Sequence, residues 1–402
     1  MVNYVFLSVY FYSVPNLRFS FEEDWCTSTI GENFRLSSGL TPSTKEKAYF
    51  NNGIIPWINS GELKNKYISF TENKLTLDAV KKHNLTIYPM DTMVIAIYGL
   101  EAAGVRGKAS ITKMDSTISQ SCMAFNSLGN VLTQFMYYVY KKEAQILGTR
   151  YAQGTKQQNL SSDLLSSYKL LYPSKEEQLK IVNFLSLIDE KIETQSKIIN
   201  DLVLQKKCII SSLLKSVQDN EKIMLKDILF DYNIKTTINN EYPVLSSTAS
   251  GMYLQSEYFN KEASSDNTIG YKIIPRGYCT YRSMSDTGLF TFNMQELVEK
   301  GIVSPAYPVF SANDDYINEF IILYLNNSSY IKKQILELKS GGTRFALPFS
   351  TLCTLKIPKL DKEKQLSLIK TITAFERKIE NEEMLLKALH QQKNFLLNNM
   401  FI

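Results

Sequence analysis

Few side chains in this sequence have the types and spacing that catalysis or metal binding requires. The five cysteines form no CxxC pair, and neither histidine, His83 or His390, lies at metal-ligand spacing from them. The odd number of cysteines favours buried thiols in a reducing compartment over a disulfide framework. Residues 104–108, GVRGK, lack the spacing and the Ser or Thr of a phosphate-binding P-loop. We therefore expect a chain that is not an enzyme and that holds no metal or other cofactor of its own.

Composition narrows the class of protein further. A length of 402 residues predicts several domains, and 44% apolar with 12% aromatic residues excludes a disordered chain. The net charge of +5 is too small to indicate a nucleic-acid binder by itself. Residues 1–13 are apolar, but they lack the cationic start of a signal peptide and the length to span a bilayer. We expect a cytoplasmic protein whose residues 1–25 form an N-terminal extension.

An internal repeat organises the chain. The segment that begins at Gln178 aligns without gaps on the segment that begins at Gln365, and both contain the tripeptide KIE. Each segment follows a proline, Pro173 or Pro358, and contains neither Pro nor Gly, as a long uninterrupted helix requires. The repeat predicts two long helices, within residues 173–221 and 358–402.

The hydrophobic pattern predicts how these helices pair. Counted as heptads, eight of ten a and d positions are apolar in each copy, and both copies are interrupted at the same two positions. An antiparallel coiled coil would place Gln195 opposite Lys393 and Lys206 opposite Glu382, so that polar layers fix its register. The alternative is that each helix simply packs on a core of its own domain.

Two segments of mixed pattern, residues 26–172 and 222–357, precede the two helices. Short β-rich runs, such as residues 92–99 and 277–283, alternate in them with short helical patterns, which is typical of α+β domains. The predicted fold class is therefore α+β, with two similar domains separated by two long helices packed as an antiparallel coiled coil. The first segment carries a net charge of +6 and the second is neutral, so the first has the stronger electrostatic footprint for phosphate.

Several short segments, in this order and with a long helix after each domain, resemble the specificity subunit of a Type I DNA restriction-modification enzyme. They are VPNLRF at residues 14–19, GLTPS at 39–43, IPWI at 55–58, GTKQQNL at 154–160, GIVSPAYPVF at 301–310 and GGTR at 341–344. The resemblance implies two target-recognition domains, each of which reads one half of a bipartite double-stranded DNA sequence. It also implies that the paired helices measure the unspecified spacer between the two halves.

Partners and cofactors follow from the same resemblance. It implies that the chain itself is noncatalytic and binds two copies of a DNA adenine methyltransferase subunit that uses S-adenosylmethionine. Restriction and translocation subunits that use ATP and Mg²⁺ are further expected partners. One departure is in the second helix, where Lys364-Gln365 replaces the Glu177-Gln178 of the first.

Sequence readout needs donors and acceptors presented to base edges, with cations on phosphates to set the register. Polar and basic residues of the glycine-containing loops, and two arginines that flank a short strand, meet this need. They are Arg106, Lys108, Thr155, Lys156, Gln157, Gln158 and Asn159 in the first domain, and Arg276, Arg282, Lys339, Thr343 and Arg344 in the second. The alternative for each loop is an ordinary solvated surface, and for Arg344 a structural cap.

Two other functions remain open at this point. A coiled-coil scaffold whose heads bind protein or glycan has the same architecture and needs no DNA. A remnant specificity protein, which no longer assembles or acts as a decoy, has the same sequence features.

Overall fold

The computed structural model describes residues 14–102, 104–152, 158–258, 267–338 and 345–402. The chain forms two compact units: unit 1 comprises Met1–Ser196 with Leu385–Ile402, and unit 2 comprises Lys197–Met384. Each unit thus combines one of the two predicted α+β segments with residues of both long helices.

The strands and helices of the first segment precede one long helix. The strands are β1 (Cys26–Thr29), β2 (Phe34–Ser38), β3 (Ile55–Ile58), β4 (Tyr67–Ile68), β5 (Lys74–Leu75), β6 (Met93–Ala96), β7 (Ala109–Thr112), β8 (Thr117–Ile118), β9 (Cys122–Ser127) and β10 (Lys169–Tyr172). The helices are α1 (Ile30–Asn33), α2 (Leu77–Lys82), α3 (Thr133–Ile146), α4 (Ser162–Ser166) and the long α5 (Lys175–Ser216). A π-helical segment, Leu147–Tyr151, continues α3.

The second segment is organised in the same way. Its strands are β11 (Lys222–Met224), β12 (Leu229–Asp231), β13 (Leu245–Thr248), β14 (Gly251–Leu254), β15 (Lys272–Pro275), β16 (Cys279–Tyr281), β17 (Met284–Ser285), β18 (Phe292–Met294), β19 (Lys300–Val303), β20 (Val309–Ala312), β21 (Phe345–Ala346) and β22 (Lys356–Pro358). Its helices are α6 (Gln255–Tyr258), α7 (Asn318–Asn327), α8 (Ser329–Glu337), α9 (Phe349–Leu352) and the long α10 (Lys362–Met400). Short 3₁₀ turns occur at Lys47–Tyr49 and Leu225–Asp227.

Strand β6 lies in the middle of the main sheet of unit 1, whose order is β2-β9-β6-β7-β4. Met93 of β6 lies opposite Phe125 of β9 and Ile111 of β7, and all four residues of β6 are buried. This burial agrees with the apolar run that predicts a strand over residues 92–99. Phe135 of α3 joins the same core, so α3 covers this sheet.

Strand β16 has the corresponding place in unit 2, in a sheet of order β12-β20-β16-β18. Cys279 of β16 lies opposite Met294 of β18 and Phe310 of β20. Large aromatic side chains fill the core beneath this sheet, and they include Tyr281, Phe292, Phe310, Phe320 and Tyr324. Each of these aromatic side chains buries a large apolar area, and together they stabilise a domain of modest size.

A buried glutamine joins α3 to the start of α5 in unit 1. Gln178 accepts a hydrogen bond from the backbone N–H of Leu132, the N-cap residue of α3, at 2.8 Å. Its amide nitrogen donates to the carbonyls of Asn130 at 3.2 Å and Pro173 at 2.9 Å. The side chain is fully buried and uses its donor and acceptor together, so it fixes the α3 N-terminus to α5.

Gln365, the repeat partner of Gln178, makes the same set of bonds in unit 2. It accepts from the N–H of Ile317, the N-cap residue of α7, at 2.9 Å. It donates to the carbonyls of Asp315 at 3.0 Å and Leu360 at 2.9 Å. We call these two side chains the glutamine latches. Both copies of the sequence repeat therefore have a glutamine at this position because it joins the long helix to an earlier helix of the same unit.

The two long helices run antiparallel. In unit 1, Leu185 early in α5 shares a core with Met400 at the end of α10. In unit 2, Leu214 late in α5 shares a core with Leu368 early in α10. The predicted antiparallel direction is therefore confirmed, and the alternative of helices that pack only on their own domain is wrong. Among the described residues, no helix has the length and apolar content to cross a bilayer.

Two ion pairs join the long helices, and they are related by the repeat. Lys393 of α10 pairs with Asp189 of α5 in unit 1, and Lys206 of α5 pairs with Glu376 of α10 at 3.0 Å in unit 2. In the repeat alignment Asp189 falls on Glu376, and Lys206 falls on Lys393. The lysines that interrupt both heptad patterns thus bind acidic residues at equivalent positions. The layers proposed between Lys206 and Glu382 and between Gln195 and Lys393 stay predictions.

Residues before β1 pack on unit 1. The guanidinium of Arg18 binds both carboxylate oxygens of Glu177 at 2.8 Å, and Trp25 contacts the core with its ring 6.0 Å from that of Phe135. The Leu17 N–H donates to the carbonyl of Asn399 at 2.8 Å. Part of the predicted N-terminal extension is therefore bound to α5 and α10, while residues 1–13 lie outside the described part of the chain.

Candidate nucleic-acid interface

In unit 1 the loop between β6 and β7 lies beside residues 158–160. The Leu160 N–H donates to the Ile97 carbonyl at 3.0 Å, and Tyr98 forms an antiparallel bridge with Asn159. The Leu100 N–H donates to the Gln158 carbonyl at 3.1 Å. Backbone pairing thus brings together two predicted site segments that are distant from each other in sequence.

Side chains connect the same two segments. The guanidinium Nη2 of Arg106 donates to Oε1 of Gln158 at 2.9 Å, and the Gln158 N–H donates to Oε2 of Glu101 at 2.7 Å. The second bond lowers the pKa of Glu101, because it stabilises the ionised carboxylate. Arg106, Gln158 and Glu101 therefore form one polar cluster with two hydrogen-bonding contacts, which we call the unit 1 cluster.

This cluster and the adjacent Asn159 retain unused hydrogen-bonding capacity. Within the described part of the chain, Nε of Arg106 and Oδ1 of Asn159 are buried and have no hydrogen-bond partner. Buried polar atoms without partners are costly, so their presence needs an explanation such as a ligand. One of the two is a donor and the other an acceptor, but both atoms are covered in this structure, so a contact with a base edge requires these side chains to turn outward.

Unit 2 pairs the equivalent segments. Met284 of β17 lies opposite Ala346 of β21, and the Leu347 N–H donates to the Ser283 carbonyl at 2.8 Å. Extending the repeat alignment upstream places Asn159 on Ala346, and Tyr98 falls within one position of Met284. The repeat therefore extends from the helices to the loops that carry the predicted site residues.

Beside β17 the surface of unit 2 forms a cleft of about 490 Å³. Exposed Arg282 is in its wall, and Asp286 contributes a carboxylate. Side-chain hydroxyls line much of the remainder, from Ser246, Ser247, Thr248, Ser285, Thr287, Thr291 and Tyr307. A cleft with one guanidinium, one carboxylate and many short hydroxyls suits hydrogen bonding to polar edges of a ligand.

The other predicted site residues have different surroundings. Arg276 precedes β16, whereas Arg282 follows it, so the two arginines are at opposite ends of that strand. Arg276 forms an ion pair with Glu299 at 2.9 Å. Lys108 directly precedes β7, and its carbonyl accepts from the Ala96 N–H at 3.1 Å.

Half of the predicted DNA-binding residues lie outside the part of the chain that the structure describes. Thr155, Lys156 and Gln157 lie outside the described residues, as do Lys339, Thr343 and Arg344. In sequence the first group directly precedes Gln158 of the unit 1 cluster, and the second group ends beside Phe345 of β21. Their roles stay predictions.

Sequence reasoning missed several polar groups near the unit 1 cluster. Lys141 of α3 donates to the Gly107 carbonyl at 2.8 Å, and Glu101 binds the backbone of Gln158. Lys66 donates to the Tyr138 hydroxyl at 2.7 Å and lies 3.7 Å from Asp189. No sequence motif marked these residues, because the two lysines become important only once α3 and α5 bury them.

The described residues offer little for metal or nucleophilic chemistry. Among them, no group of three or more His, Cys, Asp and Glu side chains is close enough together to hold a metal ion. Burial raises the pKa of the Cys122 thiol to about 11 and raises that of Cys279 as well. Both thiols therefore stay protonated near neutral pH, which makes them poor nucleophiles. Cys26 and Cys208 are exposed, so the prediction of buried thiols is wrong for these two.

Comparison with known proteins assigns a class to this arrangement. Residues 22–203 match the family model described as the Type I restriction modification DNA specificity domain. Residues 22–203 are therefore similar to the specificity domain of Type I restriction-modification systems, and the resemblance predicted from the sequence is confirmed. The matched residues include β1 to β10, the unit 1 cluster and most of α5.

Individual relatives are named after the same systems. The MjaIX specificity subunit of a Type I restriction enzyme from Methanocaldococcus jannaschii is 32% identical over 182 residues, 44% of this chain and 40% of that protein. A Type I restriction enzyme specificity subunit from Escherichia coli is 27% identical over 169 residues, 42% of this chain and 41% of that protein. The chain spans about two fifths of the length of these curated relatives.

Solved structures resemble nearly the whole chain. The S subunit of a Type I restriction-modification system from M. genitalium covers 97% of this chain and 99% of its own length, with a TM-score of 0.53 and 17% identity. A structure describing complex assembly and conformational transition of a type I R-M system covers 94% and 97%, with a TM-score of 0.61 and 10% identity. At these identities the matches establish the fold, and the predicted α+β class with two long helices is confirmed.

Proposed function

We propose that the chain is the noncatalytic DNA sequence-specificity subunit of a Type I restriction-modification system. Each unit reads one half of a bipartite target, with the target-recognition domains at residues 26–172 and 222–357. The observation that carries this proposal is the repeated loop pairing, Tyr98 with Asn159 and Met284 with Ala346. It gives both units a polar site at the same position of one fold.

The chemistry of the two sites supports DNA as the ligand. Arginine reads guanine through O6 and N7, and Asn or Gln reads adenine through N6 and N7. Arg106 with Gln158 and Asn159 supplies both kinds of side chain in unit 1, and Arg282 supplies a guanidinium in unit 2. The net charge of +6 over residues 26–172 favours binding to phosphates of the same duplex.

The remaining partners follow from membership in such a system. Two copies of an S-adenosylmethionine-dependent DNA adenine methyltransferase subunit bind the chain, and restriction subunits that use ATP and Mg²⁺ join them, in the cytoplasm. The chain itself supplies sequence choice and assembly, and it carries out no reaction. Residues 173–221 and 358–402 serve as the spacer helices.

Substitutions in the two sites test the proposal. In the complex assembled with methyltransferase subunits, Arg106→Ala should weaken discrimination at one half of the target, and Arg282→Ala at the other. Loss of a direct base contact costs about 1 to 3 kcal/mol of discrimination. Arg35→Ala, at an exposed arginine of β2, is the control and should leave both halves unchanged. Binding without any sequence preference, or preferential binding to a protein or glycan, would contradict the proposal.

A further inference from the structure

The helical segment that begins with α3 holds the turn that carries Arg106. Nζ of Lys141 donates to the Gly107 carbonyl at 2.8 Å. Gly107 has a φ of +79°, and a Cβ there would lie 3.1 Å from Cβ of Ala144. A Cβ on Gly148 would lie 2.5 Å from Cδ of Arg106, so the Arg106 side chain needs the space that this glycine leaves. Lys141, Ala144 and Gly148, at positions i, i+3 and i+7 of one helical face, therefore pack against the turn that carries Arg106.

Charged groups from three other parts of unit 1 surround Lys141. Its Nζ lies 5.4 Å from the centre of the Tyr137 ring, and Nζ of Lys66 lies 5.9 Å from the same ring. Asp189 of α5 and Lys393 of α10 both interact electrostatically with Lys141. The ammonium groups of Lys66, Lys141 and Lys393 therefore share the neighbourhood of the Asp189 carboxylate, which Lys393 binds directly, and Glu190 also interacts with Lys66.

A charged lysine at this position works against stability. Burial, and then the positive charge of Lys393, lowers the pKa of Lys141 to about 8, and Asp189 only partly opposes this shift. A methionine would fill the same space without the cost of desolvating a charge. The benefit of the ammonium is therefore the hydrogen bond that it donates, and its acceptor is the carbonyl next to Arg106.

We propose that Lys141 is a positioning residue for DNA recognition by unit 1. By holding the Gly107 carbonyl, it sets the direction in which Arg106 leaves the turn and reaches Gln158. This inference rests on the proposed function of Arg106 and Gln158 as DNA-reading residues. It predicts that losing Lys141 impairs recognition of one half of the DNA target and leaves the other half unaffected.

The test uses the full chain assembled with its methyltransferase subunits and three DNA duplexes. One duplex carries the target motif that the complex methylates, and each of the other two is altered in one half of that motif. Exchange of residues 26–172 identifies the half that unit 1 reads. Lys141→Met should lose about tenfold in discrimination at that half, the size expected for a misplaced base contact, and nothing at the other. Lys141→Arg keeps a donor and should retain most of the discrimination.

The neighbouring lysine provides a matched control. Lys142 pairs with Glu143 and donates to the Phe401 carbonyl, so Lys142→Met changes the same helix without touching the turn. Normal discrimination in Lys141→Met, or an equal loss at both halves, would overturn the inference. A wild-type complex without any sequence preference would instead refute the proposed function, and the inference with it.

A pH series keeps the inference testable if Lys141→Met does not assemble. Raising the pH from about 7 to about 9 converts the ammonium of a lysine whose pKa is near 8 to a neutral amine, which still donates to the Gly107 carbonyl but through a weaker, uncharged hydrogen bond. Discrimination at the half read by unit 1 should then fall relative to the other half in the wild type. Lys141→Arg should show no such fall, because arginine stays charged. Equal behaviour of the two halves in the wild type would overturn the inference.

Discussion

Replacing Gln178 by leucine removes the glutamine latch of unit 1 while keeping a side chain of similar size. The Leu132 N–H and the Pro173 carbonyl then lose their partner, and leucine offers neither a donor nor an acceptor. The Asn130 carbonyl belongs to an exposed residue and can bind water instead. Two backbone groups are therefore left unsatisfied at the junction of α3 and α5.

The expected loss of stability follows from these contacts. An unsatisfied buried polar group costs about 1 to 3 kcal/mol, and two of them outweigh the roughly 1 kcal/mol gained by burying more apolar surface. We expect Gln178→Leu to lower the free energy of unfolding of unit 1 by about 3 kcal/mol. Gln365→Leu should loosen α7 in unit 2 by a similar amount, since its bonds are the same.

The assay can follow unit 1 separately. Both tryptophans of the chain, Trp25 and Trp57, belong to unit 1, so urea unfolding followed by tryptophan fluorescence reports on that unit. Gln145→Leu, at an exposed glutamine of α3, is the control and should leave the midpoint nearly unchanged. Hydrogen exchange of the α7 amides reports on Gln365→Leu. A change below about 0.5 kcal/mol in Gln178→Leu would refute the role of the latch.

Three further predictions concern charge and modularity. Asp189→Asn should lower the free energy of unfolding of unit 1 by about 2 kcal/mol in urea unfolding, because Lys66, Tyr138 and Lys393 meet at this largely buried carboxylate. Glu376→Gln should cost under about 1 kcal/mol, because its ion pair with Lys206 is more exposed. The pKa of Lys141 is lowered in the fold, so between about pH 8 and about pH 10.5 the unfolded state binds more protons than the folded state, and the wild type becomes more stable as the pH rises. The stability advantage of Lys141→Met over the wild type should therefore shrink across this range by up to about 3 kcal/mol. A difference that does not change with pH would contradict this reasoning. Exchange of residues 26–172 with those of a relative should alter one half of the methylated motif, and a change in both halves would contradict the assignment of domains.

The long helices were predictable because they depend on local periodicity. A segment without Pro or Gly and with apolar a and d positions has few alternatives to a helix, and the repeat showed that there are two. The antiparallel direction followed from matching apolar with apolar positions. The ion-pair partners did not follow, because long lysine side chains reach beyond their own layer: Lys206 binds Glu376, and Lys393 binds Asp189.

The candidate site was predictable in composition and less so in arrangement. Glycine-containing loops rich in Arg, Gln and Asn marked the segments around Arg106 and Gln158, but only the fold brings these two side chains to 2.9 Å. Lys141 and Lys142 are neighbours of one type in sequence, yet α3 turns Lys141 toward the Gly107 carbonyl and Lys142 toward the C-terminal Phe401. Sequence patterns cannot separate two such lysines, because their difference lies in which backbone carbonyl each one reaches in the fold.

Mapping of N6-methyladenine across the genome, in cells with and without this gene, tests the central claim most directly. A specificity subunit that reads DNA with two domains predicts a bipartite motif, two short defined sequences separated by an unspecified spacer. Methylation at that motif should disappear when the gene is removed and return when it is restored. An unchanged methylation pattern would contradict the claim that this chain selects the DNA target.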